Sequence, residues 1–198
     1  MRTLALAFVS TSLLVAVPAL AAPTSWDIDP VHSAATFSIK HLAVSTVRGE
    51  FGKLTGSVSL DGTDVKTAKV EATIDASTIS TREAKRDGHL KSPDFFDVAK
   101  YPSITFVSTG ITAGAAGAFK LAGELTMHGV TKPVTLDVQA LSPETKTPFG
   151  TTIIATSATG KINRNDFGIT GGKAGALLGN DVNITLDLEL VKKASAAK

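Results

Sequence analysis

From residue 34 onward, apolar and polar positions alternate with a period of two, the signature of strands that bury one face. Ala35, Phe37 and Ile39 alternate with Thr36, Ser38 and Lys40. Gly56, Val58 and Leu60 alternate with Ser57 and Ser59 before an Asp61-Gly62 turn signal. Val70, Ala72 and Ile74 repeat the pattern, followed by Ile104 with Phe106 and by Leu121, Gly123 and Leu125. After a turn predicted at Gly129–Pro133 come Val134, Leu136 and Val138, then a weaker series at Ala158, Gly160 and Ile162. The clearest is the last: Val182, Ile184, Leu186, Leu188 and Leu190 alternate with Asn183, Thr185, Asp187 and Glu189. About eight such strands, joined mostly by short turns, predict an all-β domain. Their apolar faces must meet, either across a sandwich or inside one sheet curled into a barrel with an apolar lumen.

Two stretches depart from alternation. His41 to Val47 predicts a short helix. Thr81 to Tyr101 is dense in charge yet carries Leu90, Phe95, Phe96 and Tyr101. At about 20 residues it is far longer than an ordinary connection, and such segments serve as lids or binding elements. A plug that only seals the core explains the same residues. Gly56, Ala72, Gly123, Ala158 and Gly160 fall on apolar faces, where small side chains leave room inside.

The first residues read as an export leader. Arg2 supplies the charge, Leu4 to Val17 an apolar run, and Ala19-Leu20-Ala21 a cleavage site. The run is shorter than the roughly 20 residues a bilayer span needs. We therefore expect residues 1–21 to be a signal peptide, and 22–198 to form a single exported, periplasmic domain without stable membrane insertion. An outer-membrane barrel would need girdles of aromatics at both interfaces, and nine Phe, one Trp and one Tyr are too scattered for that.

Composition then removes chemistries. The formal charge is +2 and aromatics make up 6%, so the basic stripe of a nucleic-acid binder is missing. Zero Cys excludes disulfides, thiolate catalysis and Cys-ligated metals. The four His residues, His32, His41, His89 and His128, have no metal-ligand spacing, so no metal and no cofactor is expected. No Gly-x-Ser-x-Gly elbow occurs. His89 can face a ligand from the long connection. Arg164, between Asn163 and Asn165, can meet an anionic head group or simply fix its own loop.

Longer motifs carry a resemblance. Trp26-Asp27-Ile28-Asp29-Pro30-Val31-His32-Ser33 and Phe37-Ser38-Ile39-Lys40-His41 are similar to the opening of the YceI-like family of polyisoprenoid-binding proteins. His89-Leu90-Lys91-Ser92-Pro93-Asp94-Phe95-Phe96-Asp97, Met127-His128-Gly129-Val130-Thr131-Lys132-Pro133 and Asn163-Arg164-Asn165-Asp166-Phe167-Gly168 extend it along the chain. The resemblance implies an eight-stranded antiparallel, lipocalin-like β-barrel holding an isoprenoid or other long-chain lipid, with no catalysis. It also points, with exposed edge strands, to a homodimer. Alternation nominates Phe37, Ile39, Val58, Ile74, Phe106, Leu125, Leu136, Ile184 and Leu186 as the channel lining, and Phe95 and Phe96 as its lid. His89 and Arg164 complete the candidate ligand site. Two other functions remain open. One is an enzyme acting on a lipid or quinone-like substrate through His32, His41, His89 and Arg164. The other is a stress-associated structural protein with an occluded core.

Overall fold

The computed structural model describes residues 23–61 and 64–194, so the expected signal peptide lies outside the described residues. Twelve strands form one sheet: β1 (Thr24–Ile28), β2 (Ala34–His41), β3 (Ser45–Phe51), β4 (Leu54–Asp61), β5 (Asp64–Asp75), β6 (Ile79–Ser80), β7 (Ser103–Ala113), β8 (Phe119–Met127), β9 (Val130–Val138), β10 (Thr145–Lys146), β11 (Thr152–Asn163) and β12 (Leu178–Lys192). A single α-helix among the described residues, α1 (Ala84–Lys91), sits between β6 and β7.

The sheet closes on itself because β12 pairs with β11 on one side and with β1 and β2 on the other. β1 and β2 lie end to end as one interrupted strand. β3 with β4, β5 with β6, and β9 with β10 do the same, since β2 pairs with β3, β1 with β4, β4 with β5, β3 with β6, and β11 with both β9 and β10. Counted this way the wall is a closed antiparallel barrel of eight strands, and each alternating segment read from the sequence falls in a different one. The interruptions at residues 29–33, 52–53 and 76–78 are stitched across: Asp29 N–H donates to Glu189 O, Gly52 N–H to Thr78 O, and Asp75 N–H to Lys53 O. Such breaks bend a sheet sharply enough to close it.

Two local expectations are corrected. The stretch from His41 to Val47 is not helical: β2 runs through His41, residues 42–44 turn, and β3 starts at Ser45. Pairing along both arms of this hairpin satisfies backbone groups that an isolated turn of helix would leave open. The turn predicted at Gly129–Pro133 is shorter, with Met127 paired to Val130 across His128-Gly129. Both turn residues have positive φ (53° and 75°), and a Cβ at Gly129 would meet the Tyr101 ring at 2.5 Å. Pro133 therefore lies inside β9, in a stretch paired only with β8, where a missing N–H breaks no ladder to β11.

The apolar interior is split into three buried clusters rather than one. Trp26, Ile28, Leu54, Leu60 and Leu190 pack on one wall, and Phe106, Phe119, Leu121 and Leu136 on another. Phe95, Ile104, Met127, Phe167 and Ile169 form the third. A solid domain of this size would join them. This barrel is hollow between them.

Candidate functional site

A cavity of about 560 Å³ occupies that space, within the range of ligand pockets, roughly 300–1,000 Å³. On β12 alone its wall runs from Leu178 through Val182, Ile184, Leu186 and Leu188 to Leu190. The twelve residue-to-residue steps from Leu178 to Leu190 cover ~40 Å of strand, or ~30 Å along the axis of a barrel with tilted strands. The space is a channel, not a bowl.

Every residue nominated from alternation borders it: Phe37 and Ile39 on β2, Val58 on β4, Ile74 on β5, Phe106 on β7, Leu125 on β8, Leu136 on β9, and Ile184 and Leu186 on β12. The sequence reading missed Val47 and Phe51, which also line the channel. Their signal was present, because Val47, Gly49 and Phe51 alternate with Thr46, Arg48 and Glu50, but the helix assigned across His41–Val47 hid it. Ala72 and Ala158 border the channel as expected. The room beside Gly123 and Gly160 is instead filled by neighbours: a Cβ there would lie 2.2 Å from the Phe106 ring and 2.6 Å from Leu136 Cδ2. These glycines let large side chains lie flat against the wall.

The long connection supplies the end of the channel. Glu83 caps α1 by accepting from Lys85 and Arg86 N–H, and Asp87 ties it to Thr81. The helix buries none of its residues. Leu90, Phe95 and Phe96 all border the channel. Phe95 is 6% exposed, edge-on to His89 at 4.9 Å, while Phe96 stands edge-on to Phe51 at 5.7 Å. Phe51 in turn meets Phe37 at 5.7 Å. Gly171 N–H donates to Asp94 O, fastening the connection to the 172–177 segment.

Polar groups at the channel are few and mostly engaged. His89 Nε2 lies 3.0 Å from Asp94 Oδ2. Arg164 is 6% exposed, and burial lowers its pKa from the ordinary Arg value. Its Nε donates to Gly179 O. One terminal nitrogen meets Ile169 O, Thr170 O and Asn165 Oδ1, and the other Gly175 O and Asn180 Oδ1. Five N–H groups thus have six acceptors, leaving no donor for a head group. Arg164 borders the channel but works as the hub of the 164–179 segment.

His32 does not border the channel. Its Nδ1 lies 2.8 Å from Asp29 Oδ2 and 3.6 Å from Glu189 Oε1, which raises the His32 pKa, chiefly through the Asp29 hydrogen bond. The same bond lowers Asp29. Asp29, His32 and Glu189 bring donor atoms within 4.8 Å of one another, a grouping that sequence spacing could not show because Glu189 comes from β12. Asp29 also accepts from Val31 N–H, and Ser33 Oγ bonds both N–H and O of Glu189. The cluster locks the β1–β2 break onto β12.

Comparison with known proteins agrees with this architecture. A model of the YceI-like domain matches residues 26–190. A UPF0312 protein of Pseudomonas savastanoi pv. phaseolicola is 36% identical over 170 residues, covering 86% of this chain and 88% of its own. The crystal structure of Burkholderia cenocepacia BcnA superposes with a TM-score of 0.73 at 21% identity, over 82% of this chain and 98% of that one. A polyisoprenoid binding domain from Saccharophagus degradans gives 0.63 at 18% identity, over 85% and 98%. At these identities the two structures speak for the fold.

Proposed function

The chain belongs to the YceI-like family, and from that premise we propose that it holds the tail of an isoprenoid or similar long amphiphilic lipid in its barrel, as an exported carrier or storage protein. The observation that carries this reading is the apolar channel running the length of the barrel. Burying a chain there gains ~0.8 kcal/mol per CH₂, so about 16 kcal/mol gross for twenty carbons. Association and ordering cost ~4–15 kcal/mol, which leaves useful affinity without a polar anchor. The similar Saccharophagus degradans domain, described as polyisoprenoid binding, supports the same class of ligand.

Binding rather than catalysis is the better account of the polar residues. Of the four groups an enzyme would use, His32 lies off the channel, His89 is tied to Asp94 and Arg164 has spent its donors, which leaves His41 alone on the channel wall. A reaction needs convergent groups free to touch substrate. Export rests on the N-terminal leader, and the secreted form should begin at Ala22, which N-terminal sequencing of the periplasmic protein checks.

Gentle purification followed by mass spectrometry tests the central claim. A stoichiometric lipid that leaves on solvent extraction is expected. A protein that purifies empty and takes up no long-chain probe overturns it.

A further inference from the structure

The β2–β3 hairpin turns through Leu42, Ala43 and Val44, between His41 and Ser45, both of which border the channel. Val44 N–H donates to His41 O across the turn. Leu42 and Ala43 both have positive φ, 51° and 56°. That backbone belongs to Asn-Gly, and a β-carbon in it is strained. This turn carries apolar side chains that the barrel does not bury: Leu42, at a strained position, is 56% exposed, and Val44, next to the strained pair, 85%. Leu177, 46% exposed and itself on the channel wall, joins them, because Leu42 N–H donates to Leu177 O at 2.7 Å. An apolar tip in a turn that disfavours it costs stability and solubility in water alone.

Charge narrows the partner. Residues 40–48 carry Lys40, His41 and Arg48 with no carboxylate, and residues 171–179 carry Lys173, with Asp94 packed on Gly172 and facing His89. Lys40, Arg48 and Lys173 are exposed. An apolar tip flanked by cations fits the interface of an anionic bilayer, where the side chains enter the acyl boundary and the cations meet phosphates. The channel wall continues from this tip through His41, Ser45 and Leu177.

We propose that the 42–44 turn with Leu177 is a membrane-docking tip that seats the channel mouth on an anionic lipid surface. Its purpose rests on the carrier reading above, and its geometry does not.

Flotation with phosphatidylcholine vesicles, with and without phosphatidylglycerol, tests it. The wild-type chain is expected to float with the anionic vesicles, less so as salt rises. The variant Leu42→Asn, Ala43→Gly, Val44→Ser suits the turn, so its thermal midpoint should hold or rise while vesicle partition falls about tenfold or more. A second variant, Lys40→Glu with Lys173→Glu, leaves the turn alone and should lose the preference for phosphatidylglycerol. A dansyl-labelled long-chain fatty acid added from solution reads the channel separately, and both variants should take it up as wild type does. A wild-type chain that ignores both vesicles, or a turn variant that floats as well as wild type, overturns the docking tip. Wild-type flotation without uptake of the dansyl probe would instead overturn the carrier reading and leave the tip standing.

Discussion

Arg164 shows how one residue can look like a ligand group and serve the fold. Its guanidinium donates to four backbone carbonyls, from Ile169, Thr170, Gly175 and Gly179, of which Gly175 O also accepts from Leu178 N–H. Arg164→Met should strand the other three and cost at least ~3 kcal/mol in urea unfolding, since each orphaned buried acceptor costs ~1–3. Arg164→Lys, with a charge but no planar fork, should recover only part of that. His32 and Asp29 give a pH dependence. The folded His32 pKa is raised above 6.5, so its contribution is complete below that value and fades as pH rises through the folded one. Asp29 is lowered from 3.8, so its contribution is present above 3.8 and fades as pH falls through the folded value. The pair should stabilise most between these limits, and His32→Gln should remove the alkaline decline in thermal midpoint.

Among the elements, the connection from Thr81 to Tyr101 places one Phe in the buried core and the other at the channel, so the two roles its sequence left open can be tested separately. Phe95 packs into the buried cluster with Phe167 and Ile169, so Phe95→Ala should destabilise by ~3–5 kcal/mol. Phe96 is only partly buried and stands over Phe51 at the channel. Phe96→Ala should therefore leave the barrel folded while speeding release of a bound fatty-acid probe, a difference stopped-flow fluorescence can resolve. An unchanged release rate would make the segment a plug. In the wall, Gly123→Ala would push the Phe106 ring off its seat toward the channel. It should cost ~1–3 kcal/mol and reduce probe capacity.

At the scale of the whole molecule, the proposed function rests on the barrel being hollow. Ile184→Asp, on the central strand of the channel wall, would set an unpaired charge among Ile39, Phe37 and Leu186, and bound lipid should be lost from the purified protein. The sequence alone determined which face of each strand turns inward, because a period of two admits only two choices and burial selects one. Phe37, Ile74, Leu136 and Leu186 needed nothing more. It did not determine that β1 and β2, β3 and β4, or β5 and β6 share a strand position. That depends on pairings between residues as distant as Ile28 and Leu190. Nor did it separate a glycine that leaves space from one that seats a phenylalanine, as at Gly123. The roles of Arg164 and of Asp29, His32 and Glu189 were hidden for the same reason. Alternation is a local property, readable along the chain, whereas hydrogen-bond partners and empty volume exist only once distant segments close on one another.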